Sequence, residues 1–341
     1  MISSLMRYAA LVVKVRGMYG KMLTAADWHK LCEMRDVSSI YNFLRAHPGY
    51  ENMLGQTVLG SDDDSFVKAL RQAGNREYAR IFSYVSSMDK GYMLFTVRRF
   101  EMHEILTAIR RLLVRHAEPP EMPFSFFAEK TKINLGQLRM ADDTAAVLAA
   151  IRGSIYEEPL RGALQSTGGG LPEYSQISIL LENRYYSRLY SFLNKEYKGN
   201  GRDSLLAGIA LEADTINIVS IFRLRRYFPG SFDRVNELLL PIGRKLPPEL
   251  RQSLIDAPSE EAMLALLRAT RWGRYFDSLG TRPLEYAYEK ALEDFARKLM
   301  RGEMASICVP QAYLTLRDIE IKRIIRVLKA VSYGREPSQF L

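Results

Sequence analysis

The sequence predicts an all-α fold made of three similar helical units. Three observations carry that prediction. One helical pattern occurs three times, as Phe100–Leu113 (FEMHEILTAIRRLL), Leu211–Tyr227 (LEADTINIVSIFRLRRY) and Leu316–Val331 (LRDIEIKRIIRVLKAV). The copies are spaced about 110 residues apart, and self-similarity at a fixed period is the first thing to test in any chain. A second helix also recurs: Asn75–Ser83 (NREYARIFS) and Asn183–Ser191 (NRYYSRLYS) are identical at five of nine positions. Strand signals are weak, because few windows alternate at period two and β-branched runs are short.

Aligned on the long pattern, Glu101, Asp214 and Glu320 hold one position. Three residues on stand Glu104, Asn217 and Arg323; four on stand Ile105, Ile218 and Ile324; seven on stand Ala108, Ile221 and Val327; nine on stand Arg110, Arg223 and Lys329. At about 100° per residue, offsets of four and seven return to the face of the acid, whereas nine lands opposite. Each acid therefore shares an apolar face, and each base points away. An acid so placed is expected to be held by a helix dipole or a buried partner. Arg80 and Arg188, on the recurring preceding helix, are the expected ion-pair partners of Glu101 and Asp214.

The elements follow in order. A helix is expected over Tyr8–Met22. Thr24-Ala-Ala-Asp27 is a capping-box start for a second, carrying Trp28 and Leu31. A third short helix spans Asp36–Leu44 and is stopped by His47-Pro-Gly49. After a charged loop at Gly60–Asp64, a long amphipathic helix runs over Ser65–Ser87, and the first long pattern closes the unit near Arg115. Ala117–Pro123 reads as a linker, and the order then repeats: Met34–Tyr50 and Met140–Tyr156 have the same length, with Leu54 and Leu160 four residues past each tyrosine. Tyr275–Leu279 is the corresponding tail of the third unit, whose next helix, around Leu284–Phe295, has diverged. Phe228-Pro-Gly230 ends the second unit. The expected units are 1–118, 119–230 and 231–341, and three copies too large for a solenoid suggest a pseudo-threefold arrangement about an axis.

The 341 residues are 47% hydrophobic and 26% charged, with a net charge of +9, which suits a globular chain with an acidic partner. Cys32 and Cys308 are far apart and form no CxxC, so reduced thiols are expected. The first residues do not read as a signal peptide, because Arg7, Lys14 and Arg16 interrupt the apolar run. No stretch reads as the ~20 apolar residues of a membrane span.

Enzyme motifs are missing. His103-Glu104 begins like HExxH, but Thr107 stands where the second ligand belongs. Thr167-Gly-Gly-Gly170 lacks the Lys-Ser/Thr of a phosphate loop, and a flexible linker is the simpler reading. Asp142-Asp143 and Asp62–Asp64 are explained by capping and loops. No catalytic residue, cofactor site or metal site is expected. The outward bases sit in clusters: Arg110, Arg111 and Arg115; Arg223, Arg225 and Arg226; Lys322, Arg323, Arg326 and Lys329.

On these residues the chain resembles the C subunit of the V/A-type (vacuolar/archaeal-type) rotary ATPases, the equivalent of the d subunit of the eukaryotic V-ATPase. The resemblance rests on Arg16-Gly17-Met18 followed by Leu23-Thr24, on the three units, on the acid-x-x-x-Ile helix in each, and on Ile324–Gly334 with its short amphipathic tail. It implies a non-catalytic, funnel-like, all-helical protein on the cytoplasmic face of the membrane, peripheral to it. Such a protein couples the central stalk to the proteolipid ring during proton or sodium transport. On that reading Arg110, Arg111, Arg223, Arg225, Arg226, Arg323, Arg326 and Lys329 are the expected partner-interface residues, and Glu101, Asp214 and Glu320 are structural. Nucleic acid is then not expected as a partner. A basic helical nucleic-acid binder is the alternative, carried by Arg184, Tyr185, Tyr186, Arg188 and Tyr190.

Overall fold

The protein is described by a computed structural model covering residues 2–54, 63–114, 125–168, 170–227, 235–243, 246–276, 284–303 and 305–340. Among these residues there are α-helices, short 3-10 turns and no strand. The expected linkers at Ala117–Pro123 and Phe228–Gly230 lie outside the described residues, as do the unit borders at 118/119 and 230/231.

Helix α1 spans Ile2–Tyr19. The same succession then occurs three times: short helices followed by two long ones. It runs first as α2 (Ala25–Glu33), α3 (Val37–Ala46), α4 (Glu51–Leu54), α5 (Asp63–Tyr84) and α6 (Ser87–Leu113). After a short α7 (Ser125–Lys130) it runs as α8 (Leu135–Met140), α9 (Thr144–Ala150), α10 (Glu157–Ser166), α11 (Tyr174–Glu196) and α12 (Gly199–Tyr227). It ends as α13 (Pro248–Asp256), α14 (Glu260–Arg268), α15 (Gly273–Phe276), α16 (Glu285–Gly302) and α17 (Cys308–Ser332).

Local chemistry sets the short helices. Thr24 and Asp27 form a complete capping box at α2: Asp27 N–H donates to Thr24 Oγ1, and Thr24 N–H donates to Asp27 Oδ2. Asp36, Asp143 and Ser259 cap α3, α9 and α14, each accepting the N–H three residues on. Thirteen residues beyond Asp143 and Ser259 stand Tyr156 and Trp272, whose N–H groups donate to the Ser154 and Thr270 hydroxyls in matching turns. Trp272, 1% exposed, thus takes the place of Tyr156 in the third succession. Matching by residue type pointed instead to Tyr275, three positions further on.

The chain forms two compact units, 1–86 with 277–341, and 87–276. In the first, α17 packs against α1, α3, α5 and α16. Leu31, Ile40, Leu44, Tyr50, Leu54, Phe66, Leu70, Ile324, Val327 and Leu328 share one core there. In the second, α6 packs against α7, α8, α9 and α11, while α12 packs against α11 and α13. The long closing helices therefore seat the short helices of the following succession, with α17 seating those at the chain's start. This is why the compact units cut across the borders read from the sequence repeat.

Helix α12 corrects one expectation. Gly199–Arg226 is long and apolar enough to cross a membrane, with a mean hydropathy of 1.6 in its most apolar window. Within the protein 72% of that window is buried, and the helix carries Asp214, Thr215 and Asn217, so it reads as a core helix.

Candidate interface and joint residues

The three acids lie in the middle of their helices, since α6, α12 and α17 begin at Ser87, Gly199 and Cys308, roughly two to four turns before the sequence patterns at Phe100, Leu211 and Leu316. The helix dipole acts only near a terminus and does not hold them. All three are buried: Glu101 is 3% exposed, Asp214 1% and Glu320 4%. Each meets the loop that leads into the next succession of short helices.

Glu320 accepts the Leu23 backbone N–H at 2.9 Å and the Tyr50 hydroxyl at 2.7 Å. Glu101 accepts the Lys132 N–H at 2.7 Å and the Thr131 hydroxyl at 2.9 Å through Oε1. Asp214 lies against Gly243, where any Cβ would collide with its Oδ1. Asn217, one turn on, completes that contact by exchanging two hydrogen bonds with the backbone of Leu240: its Nδ2 donates to the carbonyl at 2.9 Å and its Oδ1 accepts the N–H at 2.8 Å. Leu23, Lys132 and Gly243 each precede a short helix, α2, α8 or α13. One position on the long helix thus pins the entry to the next set of helices in all three cases.

The joints differ in electrostatics. Arg317, only 3% exposed, stands three residues before Glu320 and donates to it, to Glu77 at 3.0 Å and to the Gly49 carbonyl. Its guanidinium lies 4.3 Å from the centre of the Tyr50 ring. Burial alone would lower the Arg317 pKa; Tyr50, Glu77, Tyr313 and Glu320 more than offset this and raise it. Burial also pushes the Tyr50 hydroxyl well above its ordinary range. At Glu101 burial raises the carboxyl pKa, opposed by the Lys132 N–H and the Thr131 hydroxyl, with Arg98 as the nearby cation. Arg80 and Arg188 are therefore not the partners: Glu101 is met by Thr131, Lys132 and Arg98, and Asp214 by the backbone at Gly243. Arg188 is exposed.

Most of the basic clusters are engaged within the chain. Arg111 donates to the Leu138 carbonyl and Arg225 to the Ile255 carbonyl. Arg226 pairs with Glu260, whose carboxyl it holds below the ordinary range. Arg323 and Arg326 pair with Glu293 and Glu289. Arg110 donates to the Tyr174 hydroxyl at 2.8 Å but stays exposed, as do Arg223 and Lys329. The register nine residues after each acid is the one whose three bases all face solvent.

The aromatics expected to stack on bases are mostly interior. Tyr185 and Tyr186 are each 3% exposed, packed edge to face, with Arg99 held by Glu212 beside them. Tyr190 is exposed. Among the described residues no group of three His, Cys, Asp or Glu side chains could hold a metal ion.

The profile of the family described as ATP synthase (C/AC39) subunit matches residues 11–340. The chain belongs to this family. Among its relatives, an A-type ATP synthase C subunit of Desulfurococcus sp. (strain SY) is 23% identical over 335 residues, covering 96% of this chain and 87% of the relative. The proteins of the same name from Thermococcus kodakarensis and Pyrococcus abyssi are 21% and 22% identical, covering 95% and 96% of this chain and 86% and 87% of theirs. The matched stretch spans all three successions.

Arg317, Glu77, Tyr50 and Thr131 are joint side chains that sequence reading missed. Arg317 carried one signal, its i, i+3 spacing to Glu320, which places both on one face.

Proposed function

We propose that the chain is a non-catalytic rotor component of an A-type ATP synthase, a socket that couples the central stalk to the membrane proteolipid ring for proton or sodium transport. It would lie at the cytoplasmic face of the membrane, held there by its partners. The family membership supports the complex, and the names of the relatives support its type. The observation that carries the coupling role is the thrice-repeated joint. A part that passes torque must not slip between its segments. A buried acid that accepts the backbone N–H of the next segment, or seats against it, fixes register at each step, because an unmade buried hydrogen bond is expensive. We place the three successions around a pseudo-threefold axis, funnel-like, with the three outward bases Arg110, Arg223 and Lys329 toward acidic stalk surface.

The test is gel filtration of the purified chain with the central-stalk proteins of the same organism, at low and moderate salt. A stoichiometric complex is expected, weakened by Arg110→Glu, Arg223→Glu and Lys329→Glu together. A folded chain that forms no complex at either salt overturns the stalk reading. A complex indifferent to the triple reversal removes the bases from the interface.

A further inference from the structure

We propose that the cleft between the α9–α10 turn and helix α11 is a docking site for an acidic side chain of a neighbouring protein, whose carboxylate is received by Arg161 and Arg188. The cleft holds about 480 Å³ and lies wholly within the 87–276 unit. Three arginines line it against two glutamates, Arg161, Arg184 and Arg188 against Glu157 and Glu158, so one positive charge is in excess.

The hydrogen bonds show where that excess sits. Glu157 is fully engaged: one oxygen accepts the Gly153 N–H at 2.7 Å and the other accepts from Arg161. The Gly153 N–H, then Arg161, hold its carboxyl below the ordinary range, so it stays ionised. Arg184 is tied down, its Nε donating to the Ile155 carbonyl at 3.0 Å and one terminal nitrogen to Glu158 at 2.8 Å. Arg188 stands one turn further along α11, exposed, and faces the cleft. Arg161 uses one terminal nitrogen on Glu157 and keeps other donors. Two guanidiniums on different helices thus present spare donors to one open, polar space, the arrangement that receives a planar oxyanion in bidentate fashion. An excess of one charge matches a monoanionic carboxylate better than a phosphate dianion. A volume of about 480 Å³ is large enough for a side chain that arrives on a backbone. Such docking does not require the rotor role, only that the chain has protein neighbours, as a member of a family of ATP synthase subunits does.

The probe is N-acetyl-glutamate methylamide, titrated into the full-length protein at neutral pH while the arginine Nε–Hε resonances are followed. N-acetyl-glutamine methylamide and inorganic phosphate serve as the other arms. Saturable shifts at Arg161 and Arg188, with a dissociation constant in the millimolar range and no response to the glutamine compound, are the expected result. Arg188→Gln, a change at an exposed site, should weaken binding about tenfold, the value of losing one hydrogen bond to a charged group. Arg188→Lys should recover only part of it, because the fork is lost. Shifts at Arg161 and Arg188 no larger than at the exposed Arg45 would overturn the proposal. Tighter saturation by phosphate would also overturn it, making the cleft a phosphate site.

Discussion

Replacing Glu320 with alanine tests the joint that ties α17 to the chain's first helices. The substitution leaves the Leu23 N–H and the Tyr50 hydroxyl buried without their acceptor. Each such orphan costs about 1–3 kcal/mol. Arg317 keeps Glu77 and the Gly49 carbonyl, so the roughly 3–5 kcal/mol of a fully stranded buried charge does not apply. The two orphans together give a loss of about 4 kcal/mol, a large share of the roughly 5–15 kcal/mol that holds a typical domain. The chain has two tryptophans, and each compact unit contains one, Trp28 and Trp272. In a Trp272→Phe background, urea unfolding read by Trp28 fluorescence therefore reports on the unit that contains Glu320. Glu320→Gln keeps one carbonyl acceptor, but Leu23 and Tyr50 donate to different oxygens of Glu320, so one donor is still orphaned and about half the loss is expected. A loss below about 1 kcal/mol for Glu320→Ala, less than one orphaned donor is worth, would refute the reasoning.

The other joints give sharper contrasts. Gly243→Ala should destabilise by about 2 kcal/mol by denaturant midpoint, from overpacking against Asp214; in an Asp214→Ala background the same change should cost well under half as much, because the group it strikes is gone. Glu101→Gln should cost much less than Glu101→Ala, since Oε1 still accepts from Lys132 and Thr131. Burial raises the Glu101 pKa, so the folded form binds its proton more tightly than the unfolded chain and wild-type stability falls as the group ionises with rising pH. The stability of Glu101→Gln relative to wild type should accordingly improve as pH rises from about 4. Asp27 has the opposite sign: the Thr24 hydroxyl holds its pKa down, so its contribution is present above about pH 4 and is lost as pH falls below it. Thr24→Ala should remove about 1 kcal/mol at neutral pH and less at strongly acid pH, where the hydroxyl still accepts the Asp27 N–H but no longer bonds an ionised Asp27 carboxylate, measured by thermal unfolding.

What the sequence made legible was local or periodic. Thr24 with Asp27, Asp36 and Asp143 announce helix starts because each cap bonds within three residues of itself. The acid-to-apolar spacing in α6, α12 and α17 places Glu101, Asp214 and Glu320 on the buried face because that face is fixed by helical geometry alone. Their partners could not be read the same way. Leu23 lies 297 residues from Glu320, and a backbone N–H leaves no mark in residue type. The repeated pattern begins only at Leu211, whereas α12 starts twelve residues earlier at Gly199, which takes a positive φ of 63°. Among the basic clusters, charge alone did not separate Arg225 and Arg323, spent on Ile255 and Glu293, from Arg223 and Lys329, which face outward.

The most direct measurement of the coupling role is made on the reconstituted A-type complex in sealed vesicles, with and without this chain, scoring ATP hydrolysis and ion uptake together. A complex lacking the chain is expected to hydrolyse ATP but accumulate no ions, and adding the purified chain is expected to restore uptake. Ion uptake at an unchanged rate per ATP without the chain would contradict the coupling role.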